Sequence, residues 1–149
     1  MIVESRFYPD IAEELVRGAI AELEAVGATY KRCPVPTLFE VPVAMRYAIR
    51  AIELFPARKR FDGYVALGCA IRDEHTPHDL LSAECTHALL GLTVQFSLAT
   101  GFGVIAVDTR EEAWARASVK TDDYGGQAAK TCLEMIRLKT DFKLFPRSQ

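Results

Sequence analysis

The sequence predicts an α/β chain whose mostly parallel sheet is covered by helices on both faces. Two observations carry this. Short apolar runs alternate with segments whose hydrophobic residues recur at helical spacing. The run Tyr64-Val65-Ala66-Leu67-Gly68-Cys69 is apolar without a break, as a strand buried on both faces must be. Right-handed crossovers then leave few topologies.

The elements follow in order. Ile2-Val3 is a short strand-like start. Pro9-Asp10 opens a helix with Ile11, Leu15, Ala19, Leu23 and Val26 on one stripe, and Gly27 is a natural stop. Residues 28–35 suit a strand, limited by Pro34 and Pro36. Residues 43–54 read as a helix with Ala48, Ile49 and Ile52 inward, ended by Phe55-Pro56. After the central strand comes a polar stretch, then a long helix over 80–98 with Leu81, Cys85, Leu89, Leu92 and Phe96 on one side. Residues 102–107 form the last strand. Residues 111–117 and 127–138 are closing helices, with Gly125-Gly126 expected in the loop between them.

With 149 residues, the chain suits one domain, spanning 1–149, with an ordinary core. A net charge of −2 with mixed signs gives no nucleic-acid footprint, and Arg58-Lys59-Arg60 reads as a solvated turn. No apolar run approaches a membrane span, and the N-terminus lacks a signal-peptide layout. Cys33, Cys69, Cys85 and Cys132 are widely spaced within apolar stretches, as buried reduced thiols are, so the expected compartment is the cytoplasm.

In open parallel sheets ligands bind outside the carboxyl ends of the strands, and the unusual residues gather in the segments that follow the strands. Phe7 can stack on a flat heterocycle or pack on the first helix. Glu40 lies between Phe39 and Val41 before Pro42, either as an acid at a helix N-terminus or as an acceptor for a polyol or amine. The segment from Ile71 through Asp79 brings two histidines, a threonine and three carboxylates to a helix start, where histidine suits proton transfer. His75-x-x-His78 is too loose a spacing to argue for a metal, and His87 falls mid-helix. Arg116 and Lys120 at i, i+4 make a basic face for a phosphate or a salt-bridged helix surface. Neither the dinucleotide glycine fingerprint, the P-loop nor the nucleophile elbow occurs.

Five segments in order, Ser5-Arg6-Phe7, Pro36-x-x-Phe39-Glu40-Val41-Pro42, Ala66-Leu67-Gly68-x-x-Ile71-Arg72, Phe102-Gly103-Val104 and Gly126-x-Ala128-Ala129, resemble the lumazine synthase family. The resemblance implies a flavodoxin-like three-layer α/β/α sandwich with a four-stranded parallel sheet, assembled as a homo-pentamer and in some cases a larger shell. It implies a transferase that joins 5-amino-6-ribitylaminouracil to 3,4-dihydroxy-2-butanone 4-phosphate, giving 6,7-dimethyl-8-ribityllumazine in riboflavin biosynthesis without cofactor or metal. On this resemblance Phe7 stacks on the pyrimidine, Leu38, Phe39 and Glu40 hold the ribityl chain, and Ala70 and Ile71 offer backbone groups to the ring. Phe102 and Arg116 reach a neighbour's site, Arg116 on the phosphate. His75, Thr76 and His78 form the phosphate and proton-transfer loop, His78 being the candidate shuttle.

That loop departs from the family pattern. Asp73 stands at a glycine, His75 at a phosphate-binding threonine and Pro77 at the usual histidine, with His78 one residue later. Thr37 and Leu38 replace Gly-Ala, and Tyr124 replaces a lysine. The expectation is a weakened or altered synthase. The alternatives are an inactive flavin- or lumazine-binding or shell-forming protein, or an enzyme with another substrate.

Overall fold

A computed structural model describes residues 1–73 and 77–144. Its elements run β1 (Ile2–Ser5), α1 (Pro9–Ala25), β2 (Arg32–Val35), α2 (Glu40–Leu54), β3 (Tyr64–Ile71), α3 (His78–Gln95), β4 (Thr100–Val107), α4 (Arg110–Ala117) and α5 (Tyr124–Asp141). The four strands form one sheet in the order β2-β1-β3-β4, and every pairing is parallel. This is the expected three-layer sandwich.

Alternation along the strands builds two cores. Ile2, Leu67, Cys69, Ile71, Ile105 and Val107 face α1, α4 and α5, packing with residues such as Leu15, Ala113 and Ala129. Val3, Ala66 and Ala70 face the other way, against Val41, Met45 and Ile49 of α2 and Cys85 and Leu89 of α3. All eight residues of β3 are buried, because this strand has neighbours on both edges and helices on both faces. The four cysteines are free thiols. Burial pushes the thiols of Cys85 and Cys132 up to about 11 and that of Cys69 up to about 12, so all three stay protonated.

Several boundaries differ from the sequence expectation. The second strand is only Arg32–Val35, since Gly27 closes α1 at φ 71° and 28–31 stay irregular. Being an edge strand, it tolerates Pro34. Gly125 and Gly126 lie inside the first turn of α5 and not in a loop. Asp123 caps that helix by accepting from the Gly126 N–H, and α5 crosses α1 so closely that a Cβ on Gly125 would collide with the Leu15 carbonyl. The helix therefore starts three residues before the last-turn pattern of apolar residues reveals it. Among the described residues, no helix is long and apolar enough to cross a membrane.

Candidate functional site

At the carboxyl end of the sheet, the loops after β1 and β2 meet over the end of β3. A cavity of about 200 Å³ lies there, lined by Phe7, Tyr8, Thr37, Leu38, Phe39, Cys69, Ala70 and Leu81. The parallel sheet explains the meeting: the segments after β1, β2 and β3 all emerge at one end. The Arg6 N–H donates to the Val35 carbonyl at 2.8 Å, which ties the first loop to the second.

Phe7 projects from this surface 55% exposed, edge-on to Tyr8 with ring centres 5.0 Å apart at 80°. Phe39 is 58% exposed beside it. Leu38, in contrast, is wholly buried and packs where a side chain on Gly68 would sit. The larger residue in the second loop is thus accommodated by the missing one on β3. Ala70 lines the cavity, whereas the Ile71 side chain turns to the opposite core.

Glu40 is the first residue of α2, and its carboxylate accepts from the Thr37 N–H at 2.8 Å and the Thr37 hydroxyl at 2.6 Å. These bonds to the charged form hold its pKa below the usual carboxylate range. Both hydrogen bonds fall on Oε2. The geometry is that of a helix-start acid, and it leaves Oε1 toward other donors.

Beyond β3 a polar cluster forms. His78 opens α3 and is only 6% exposed, with its Nε2 3.0 Å from Asp79 and 3.8 Å from Asp108. Arg72 lies 3.1 Å from Asp108 and 3.9 Å from Asp79. Asp108 therefore joins the ends of β3 and β4. His78 points into the protein but does not line the aromatic cavity. His75 and Thr76, assigned to this loop from the sequence, lie outside the described residues.

Phe102 and Arg116, expected to serve a neighbour's site, lie away from this cavity. Phe102 is the third residue of β4, paired opposite Ala66. Five residues separate it from Val107, roughly 16 Å along the strand. It is 36% exposed on the sheet's free edge. Arg116 ends α4, where it donates to the Tyr124 hydroxyl at 2.9 Å and lies 5.6 Å from that ring's centre. The basic face expected from Arg116 and Lys120 does not form, because α4 stops at Ala117 and Lys120 falls in the turn beyond it. His87 is exposed on α3, as a tolerated helix residue.

Thr37, Cys69, Leu81 and Tyr8 line the cavity without a site role read from sequence, and Tyr8 was the one with a signal. The signal was its place beside Phe7, an aromatic pair at the end of a strand.

Fold and site together define a parallel three-layer α/β protein with a small-molecule pocket at the carboxyl ends of its strands. Residues 1–140 match the family described as 6,7-dimethyl-8-ribityllumazine synthase. Relatives agree along most of the chain. 6,7-dimethyl-8-ribityllumazine synthase 1 of Rhodopseudomonas palustris (strain ATCC BAA-98 / CGA009) is 43% identical over 93% of this chain and 84% of its own length. The 6,7-dimethyl-8-ribityllumazine synthase of Paramagnetospirillum magneticum (strain ATCC 700264 / AMB-1) is 38% identical over 97% of this chain and 96% of its own. Synthase 1 of Rhizobium meliloti (strain 1021) is 43% identical over 93% and 90%. The chain belongs to the 6,7-dimethyl-8-ribityllumazine synthase family.

Proposed function

We propose that this protein is a lumazine synthase of altered phosphate handling, which condenses 5-amino-6-ribitylaminouracil with 3,4-dihydroxy-2-butanone 4-phosphate slowly. The observation that carries the reading is the joining of Phe7 from the loop after β1, Leu38 and Phe39 from the loop after β2, and Ala70 of β3 around one cavity. A flat pyrimidine stacks on Phe7, contributing about 0.5–1.5 kcal/mol beyond its buried area. Glu40 takes a hydroxyl of the ribityl chain on its remaining oxygen.

The phosphate end differs. The arginines following β3 and β4 already have acceptors: Arg72 has Asp108, Arg110 has Asp10 and Arg116 has the Tyr124 hydroxyl. An incoming phosphate must displace one of them. Asp73 adds a carboxylate where a small residue would let the backbone close on the anion. Like charges about 4 Å apart oppose one another by roughly 1 kcal/mol in water and by several in a semi-buried site.

Assembly completes the proposal. The cavity is smaller than the roughly 300–1,000 Å³ of ordinary small-molecule sites. Phe102 on its free edge is open to a neighbouring copy, and α3 exposes Leu80, Leu90 and Val94 on the side away from the core. A homo-pentamer that shares its sites between subunits accounts for all three. A monomer by light scattering at micromolar concentration refutes it.

The same engaged arginines favour one alternative, a flavin- or lumazine-binding or shell-forming member without turnover. Steady-state assay with both substrates, beside titration with inorganic phosphate, separates the two. Slow turnover with a high KM for the butanone phosphate supports the synthase. Complete absence of product, with riboflavin still bound, supports the binding protein.

A further inference from the structure

The cavity lies across the end of the sheet, and its two sides come from different layers. Leu38 and Leu81 belong to the core beneath α2 and α3, while Tyr8 packs against the core beneath α1. Tyr8 is therefore the wall on the α1 side, and β3 supplies the floor through Cys69 and Ala70. Its ring edge rests on Phe7, fixing the plane on which a flat ligand stacks.

Two residues among the described lining carry hydroxyls, Thr37 and Tyr8. That of Thr37 is spent on Glu40. The Tyr8 phenol lies beside the Ile71 main chain, near Asp73 and Arg110; burial pushes its pKa above the ordinary value, so it stays a neutral donor at working pH. It reaches the end of β3, where the edge of a stacked ring has to find its hydrogen bonds.

We propose that Tyr8 is the residue that sets the specificity of the ring subsite: its phenol donates to the edge of a two-ring pteridine-type heterocycle, and its bulk excludes a third fused ring. The inference rests on the reading of the Phe7 cavity as the ring-binding site. With about 200 Å³ available, a bicyclic ring fits on Phe7 only by using the space up to Tyr8, and the benzenoid ring of a flavin meets the Tyr8 wall. Two substitutions separate the roles of the phenol. Tyr8→Phe removes the donor and keeps the wall; Tyr8→Ala removes both.

The experiment is fluorescence titration of the unaltered protein, Tyr8→Phe, Tyr8→Ala and Phe7→Ala with 6,7-dimethyl-8-ribityllumazine and with riboflavin. The lumazine binds the unaltered protein more tightly than riboflavin. Tyr8→Phe weakens lumazine binding about 2- to 12-fold, the worth of one hydrogen bond. Tyr8→Ala shifts the affinity ratio toward riboflavin by about tenfold, the low end of discrimination by pocket size. A purely structural Tyr8 would weaken both ligands alike. An unchanged lumazine affinity in Tyr8→Phe, or an unchanged ratio in Tyr8→Ala, overturns the inference while a loss in Phe7→Ala leaves the site reading standing. Unchanged binding in Phe7→Ala overturns both.

Discussion

Replacing Glu4 by glutamine tests how the first loop is held. Glu4 is 1% exposed on β1, and its carboxylate lies 2.6 and 3.1 Å from two nitrogens of Arg32 and 3.4 Å from Arg6. Glu13 on α1 shares both arginines, at 3.0 and 2.9 Å. The four side chains form a two-plus, two-minus network that ties β1, β2, α1 and the residue just before Phe7. Removing one member of a fully buried pair costs about 3–5 kcal/mol. Here the arginines are about one-third exposed and keep Glu13, so water and the second carboxylate offset part of the loss. The expected cost is therefore about 2 kcal/mol, between an unsatisfied polar group and a broken buried ion pair. With a urea slope of about 1–3 kcal/mol per molar, the unfolding midpoint falls by roughly 1 M. The measurement is urea unfolding followed by circular dichroism at one protein concentration, because association would shift the midpoint by mass action. An unchanged midpoint would show that Glu4 is no more than a tolerated buried acid and refute the network as a tie.

Two further outcomes are expected. Glu13 is held below its ordinary pKa of 4.5 by hydrogen bonds from Arg32 and Arg6, Glu53 by Arg50 and Arg46, and Glu40 by Thr37. Each binds its proton less readily folded than unfolded, so its stabilisation is complete above that ordinary value and lost as pH falls through the lower folded one; a melting temperature that stays flat from about pH 6 down to pH 3 contradicts this. The triple change Asp73→Gly, His75→Thr and Pro77→His should raise turnover of the butanone phosphate at least tenfold, since a placed acid–base group is worth about 10²–10⁴-fold. Unaltered protein that already turns over this substrate as fast as the triple variant would sink that reading.

Legibility tracked how local the cause was. The β3 run and the helical stripes of α1 and α3 are intrinsic patterns, and they gave element type, order and the parallel sheet. The start of α5 was hidden because Gly125 and Gly126 look like loop residues; what makes them helical is the approach of α1, a partner more than a hundred residues away. Phe7 and Phe39 were singled out because strand ends in a parallel sheet converge by rule, and Leu38 and Ala70 through the family resemblance. Tyr8 and Asp108 were not. Their roles depend on which side of the sheet each layer supplies and on how the ends of β3 and β4 line up, neither of which periodicity encodes.

The fold holds the two parts of this surface to different degrees. Leu38 and Gly68 interlock, and Ala70 sits in a strand with neighbours on both edges and both faces. A substitution there disturbs a close-packed interior, where even one methylene is felt. Arg72, Asp79 and Asp108 project into solvent with side chains 60%, 78% and 62% exposed. Changes among them cost the fold little, because exposed ion pairs contribute about 0–1 kcal/mol. The aromatic cavity is thus constrained by packing, and the exposed members of the polar cluster beyond β3 are not. His78 marks the boundary: buried like the first half, yet paired with the exposed aspartates of the second.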